Sequence, residues 1–214
     1  MAVLTPARRK KLHRWSLRLE WFTVAWNVVE AVVAIGAGLI VGSVALVGFG
    51  VDSGIEVISA VALLWRLNRA GPEASAEEQG AAEKRALYLV AATFFLLAVY
   101  ILYEAVGALL TAEGPESSKV GLVLSLLSIL IMPTFAYLKG RTGREIGSRA
   151  LVADSVETWV CAYLSFALLA AVGLNAAFGW WWADPAGALA MLPVIVWQGW
   201  ETLGEARERD DDDD

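Results

Sequence analysis

The sequence predicts an all-α membrane protein of six transmembrane helices with both termini cytoplasmic. Three observations lead there. Hydrophobic residues make up 57% of the 214 positions and the mean hydropathy is +0.56, above the apolar content usual for a soluble domain. The apolar residues gather into six stretches, 17–41, 43–65, 86–110, 119–138, 150–174 and 182–204. Each is long enough, at about 1.5 Å per helical residue, for roughly 30 Å of hydrocarbon. Finally, sixteen of the seventeen Lys and Arg fall on one side of a six-helix weave, with Lys119 alone on the other, so by the positive-inside bias both ends are cytoplasmic.

The elements follow in order. Residues 1–16 form a basic cytoplasmic leader, and the transmembrane domain runs from 17 to 204. Trp15 and Trp21 mark the leader's interfacial end, where His13 also belongs. The apolar stretch after the leader is too long for a signal peptide and no small-residue cleavage site closes it. Gly36, Gly38 and Gly42 make the end of the first helix small, and a Gly-Ser turn leads straight into the second, which predicts an antiparallel hairpin. The connection near 67–84 is polar and Ala/Glu-rich and reads as a mobile loop; that at 139–149 reads as a short basic loop. Between the third and fourth helices, Ala112–Ser118 carries a Gly-Pro turn. Asp184 before Pro185 reads as the N-cap of the sixth helix, and Pro133 and Pro193 are candidate kinks. Residues 205–214 are an acidic cytoplasmic tail, expected to be solvated, with no soluble domain after it.

The net charge is −6, but Asp210–Asp214 supply five of the negative charges, and nucleic acid is not an expected partner. One cysteine excludes an internal disulfide. No Ser/His/Asp or HExxH arrangement is present, so enzyme chemistry is not expected.

The informative residues are acidic groups at membrane depth. A carboxylate at the centre of a membrane helix costs about 2.5–3.5 kcal/mol on insertion scales and survives where it faces the bundle interior with a partner. Asp52 and Glu56 are four apart, as are Glu157 and Cys161, so each pair shares a helix face. Two helices that each present two ligand-bearing side chains predict a divalent-cation site made of Asp52, Glu56, Glu157 and Cys161. Three carboxylates and a thiolate suit tetrahedral zinc, whereas an oxygen-rich set also suits manganese. Such ligands shed protons when metal binds, a physical route to metal/proton exchange. Asp154, a turn before Glu157, sits at the entrance, and Asn27 and Glu30 are supporting groups. Two blander readings stay open: Glu157 as a helper of Asp154, and Cys161 as a small buried hydrophobe. Glu104 lies near the outer end of the third helix.

These residues resemble the cation diffusion facilitator family of six-helix divalent-metal transporters. Its second helix reads G-S-x-A-L-x-x-D-x-x-H-S-x-x-D; GSVALVGFGVDSGIE begins here at Gly42, with Asp52 at the His position and Glu56 at the final Asp. Its fifth helix reads A-D-x-x-H-x-x-x-D, matched here by ADSVETWVC with Glu157 and Cys161 at the ligand positions. Phe49 replaces the earlier aspartate and no histidine is in the site. The resemblance is to the short branch without a cytoplasmic C-terminal domain. It implies a cation diffusion facilitator-like bundle, zinc as the leading transported ion, efflux from the cytoplasm or vesicular loading by alternating access, and a homodimer; the expected location is the plasma or inner membrane. The competing expectation is a membrane protein that binds a cation without moving it.

Overall fold

The computed structural model describes residues 6–69, 76–112, 114–146 and 149–211, and among these every regular element is a helix. In chain order they are α1 (Pro6–Val41), α2 (Val44–Arg69), α3 (Ala76–Thr111), α4 (Lys119–Ile146), α5 (Arg149–Phe178) and α6 (Ala183–Asp211). Among the described residues four segments are long and apolar enough to cross a membrane: Lys11–Val41, Val90–Thr111, Lys119–Ile146 and Asp154–Phe178. α2 and α6 are not among them; they bring Asp52, Glu56, Asp184 and Gln198 into the bundle interior.

The outer surface is apolar. Val32, Leu39, Ile40, Leu96, Leu110 and Leu130 are all well exposed, a surface suited to lipid and not to water. The inside carries a column of buried Ser, Thr, Asn, Glu and Asp. This inversion is what a bilayer solvent requires, since polar groups must find partners within the bundle.

Several helices run further than the apolar stretches. The connection expected as a mobile loop at 67–84 is helical from Ala76 onward, because its Ala, Glu and Lys are strong helix formers; residues 70–75 lie outside the described residues. Most of the basic loop expected at 139–149 is helical, because α4 continues to Ile146 and α5 starts at Arg149; residues 147–148 lie outside the described residues. The leader is helical from Pro6, and the acidic tail is helical to Asp211, with 212–214 outside the described residues. α4 and α6 both continue through their prolines, Pro133 and Pro193.

α1 packs chiefly on α2, α3 on α6, and α4 on α5. Small residues set these approaches, as is common for helices in membranes. A Cβ at Gly38 would lie 2.7 Å from Val47 Cγ2 and 2.9 Å from its backbone nitrogen, and one at Gly50 would lie 2.8 Å from the nitrogen of Ile35. The α1–α2 crossing therefore has no room for side chains at either point. The turn itself places Gly42 at φ +70°, a left-handed conformation that glycine adopts without penalty.

Asp184 does not cap its own helix. α6 begins at Ala183, and the Asp184 carboxylate crosses to the start of α2. It accepts from Ser43 Oγ at 2.5 Å, from the Val44 amide at 2.9 Å and from the Ala45 amide at 3.4 Å. Ser43 in turn accepts from the Leu46 amide at 3.1 Å, the N-cap arrangement. The positive end of α2 and its free N–H groups attract the carboxylate, so the bond ties α6 to the α1–α2 hairpin. Asp184→Ala is expected to lower stability by about 1.5–3 kcal/mol, the scale of a hydrogen bond to a charged group. The check is thermal unfolding of the detergent-solubilised protein, and an unchanged midpoint would contradict the latch.

Candidate functional site

The α1–α2 hairpin and the α4–α5 pair enclose the polar column. Because α1 and α5 run one way and α2 and α4 the other, the column can be read in tiers. At the upper tier Glu30 on α1 meets four neighbours. Its Oε1 accepts from Trp26 Nε1 at 2.7 Å and from Ser128 Oγ on α4; its Oε2 accepts from Ser53 Oγ on α2 at 3.3 Å and faces Cys161 Sγ at 4.0 Å. Ser53 and Ser128 each have one hydroxyl proton, shared between Glu30 and a carbonyl of their own helix, Phe49 and Leu124.

One turn along, Asn27 Nδ2 donates to Glu56 Oε2 at 2.6 Å. Asn27 and Glu30 are three residues apart on α1, as Ser53 and Glu56 are on α2, so the antiparallel hairpin pairs them in register. Asp52 is fully buried, and neither carboxylate oxygen has a hydrogen-bond partner; Glu56 Oε1 and Asn27 Oδ1 are also without partners. An anion taken out of water with nothing to hold it is among the costliest arrangements in a protein interior.

Of the four expected ligands, Asp52 and Glu56 on α2 and Cys161 on α5 are buried in the bundle. Glu56 is acted on electrostatically by Asp52, Glu157 and Glu30, and Cys161 by Glu56, Glu30 and Asp52. Cys161 is fully buried and Glu157 half-buried. Among the described residues no three His, Cys, Asp or Glu side chains converge at ligating distances in this conformation. Glu104 is exposed on α3 and stands outside the column.

Two residues that the sequence reading passed over stand at the lower tier. Lys139, the first residue of the expected basic loop, is fully buried on α4. Its Nζ donates to Asp154 Oδ2 at 2.5 Å, Glu20 Oε2 at 3.2 Å and Thr158 Oγ1 at 3.4 Å. Asp154 is thus ion-paired and is not a free carboxylate at an entrance. Glu20 is fully buried as well. Its spacing held the signal: Glu20, Asn27 and Glu30 recur at intervals of seven and three, one face of α1.

Comparison with known proteins gives this geometry its context. The family model for the cation efflux transmembrane domain matches residues 21–208. The chain is 30% identical over 174 residues to an uncharacterized transporter of Synechocystis sp., covering 80% of this chain and 56% of that protein. It is 25% identical over 166 residues to transmembrane protein 163 of Xenopus laevis, covering 78% and 58%. It is 27% identical over 139 residues to the cation-efflux pump FieF of Shewanella oneidensis, covering 63% and 47%. The chain therefore spans about half the length of the curated relatives it matches. A match over most of its residues, with buried carboxylates on the second and fifth helices, places the chain in the cation efflux family, a family of transporters and not of enzymes.

Proposed function

We propose that this chain moves a divalent cation across a membrane, with zinc the leading candidate and manganese the next. Asp52, Glu56, Glu157 and Cys161 would bind the ion near the middle of the bundle, with Glu30 and Asn27 orienting the carboxylates. The observation that carries the reading is Asp52, fully buried with both oxygens unpartnered beside Glu56 and Glu30. A cation satisfies such a cluster, and so do protons. Alternation between the two occupants is the chemistry of metal/proton exchange.

The family match and the printed name of the Shewanella oneidensis relative, a cation-efflux pump, support efflux as the direction. Six membrane crossings with both termini cytoplasmic belong to the same reading, supported by the six helices and the one-sided basic residues. A homodimer in the plasma or inner membrane completes the reading.

The site is tested by binding. Detergent-solubilised protein is expected to hold Zn²⁺ in equilibrium dialysis, and Asp52→Asn combined with Glu56→Gln to lose at least 90% of it. Unchanged binding by the double variant would overturn the assignment. Binding without uptake would favour a cation-binding membrane protein that does not transport.

A further inference from the structure

The lower tier is more acidic than an ion pair requires. One ammonium, Lys139 Nζ, faces two carboxylates, and its three protons are used up on Asp154, Glu20 and Thr158. The carboxylates are not used up. Glu20 Oε1 is buried with no hydrogen-bond partner, on a side chain with no solvent exposure. A purely structural pair needs one carboxylate, and a second that is half satisfied adds a desolvation cost with no return. Viewed from the ammonium, the surroundings are oxygen donors from Glu20, Asp154 and Thr158. Oxygen atoms of this kind suit a divalent cation. The Lys139 ammonium stands where such an ion would stand.

The position of this cage fits the column. Glu20 is ten residues before Glu30, about 15 Å along α1, and Asp154 is seven before Cys161, about 10 Å along α5, and three before Glu157. Along α4, Lys139 is eleven residues beyond Ser128, the contact of Glu30, about 16 Å away on a helix that runs the other way. All three helices thus place the cage on the same side of the central carboxylates, where the Lys139 contacts join α1, α4 and α5.

We propose that Glu20, Asp154 and Thr158 form a second divalent-cation site, one tier from the central site, which the Lys139 ammonium fills in this conformation and yields to an incoming ion. The proposal rests on the reading that the central carboxylates take a cation, but its test does not. In a background carrying Asp52→Asn and Glu56→Gln, equilibrium dialysis with Zn²⁺ and with Mn²⁺ is expected to show no high-affinity site while Lys139 is present. Adding Lys139→Gln in that background should create one bound cation per chain. It should also raise the thermal midpoint in a cation-dependent way. Further addition of Glu20→Gln and Asp154→Asn should abolish both effects. A monodisperse Lys139→Gln protein that binds neither metal would overturn the second site.

If Lys139→Gln does not fold, single substitutions in the otherwise native chain decide. Glu20→Gln keeps the Lys139–Asp154 pair, and it is expected to raise the half-saturating cation concentration for uptake at least tenfold with the maximal rate within twofold. A fall in maximal rate at unchanged half-saturation would mark a structural pair and overturn the proposal. Absence of uptake by the native chain, by contrast, sinks the transport reading; binding by the Lys139→Gln background variant then judges the second site separately.

Discussion

Asp52→Ala is expected to bring cation uptake into proteoliposomes down to the level of empty vesicles, while the amount of inserted protein stays the same. The expectation comes from what Asp52 lacks. Glu56 has Asn27 and Glu30 has Ser53, Ser128 and Trp26, whereas neither Asp52 oxygen has a hydrogen-bond partner. Removing Asp52 therefore breaks no hydrogen bond that holds helices together, and it relieves repulsion with Glu30. Stability should stay level or rise, since an uncompensated buried carboxylate is a cost. Loss of the activity with a preserved or higher unfolding midpoint is the signature of a group kept for its ligand. Wild-type flux through the Asp52→Ala protein would sink the assignment of Asp52 as a ligand.

Lys139→Met should have the largest effect on stability. It leaves Glu20 and Asp154 buried without their cation, and breaking a buried pair in this way costs about 3–5 kcal/mol. The neutral triple variant, Glu20→Gln, Lys139→Met and Asp154→Asn, is expected to recover most of that loss, because all the buried charge goes together. Thermal unfolding of the four single and combined variants measures this directly. Equal damage from Lys139→Met and from the triple variant would contradict the paired arrangement and point to packing of the lysine stem instead.

Hydropathy and charge made much of the fold legible. Each of the six apolar stretches falls on one helix to within a residue, and the Gly-Ser turn forms the expected α1–α2 hairpin. What escaped was the helical reach beyond the apolar stretches. Segments such as Ala76–Arg85 and Arg141–Ile146 are polar, so hydropathy reads them as loops although their residues favour helix. The same bias hid Lys139. A lysine at the end of an apolar stretch reads as an interfacial cation, and only the tertiary pairing of α1, α4 and α5 shows it between Glu20 and Asp154.

The site was legible by spacing on one helix at a time. The i, i+4 pattern picked out Asp52 and Glu56, and the structure buries both. Relations between helices were out of reach of such reasoning. Glu30 was read as support, yet it touches residues of α1, α2, α4 and α5 and lies within 4.0 Å of Cys161. Asp184 was read as a local cap because Asp-Pro precedes an apolar run; the free amides it serves belong to α2, 140 residues away in sequence.

We propose that a divalent cation crosses the membrane through the buried carboxylates in exchange for protons. The most direct test is uptake by proteoliposomes of the native chain, with Zn²⁺, Mn²⁺, Co²⁺ and Cd²⁺ in turn, with and without an imposed pH gradient. Saturable uptake of at least one of these ions is expected, accelerated by a gradient that drives protons the opposite way. Binding of the same ions with no uptake under either condition would contradict it.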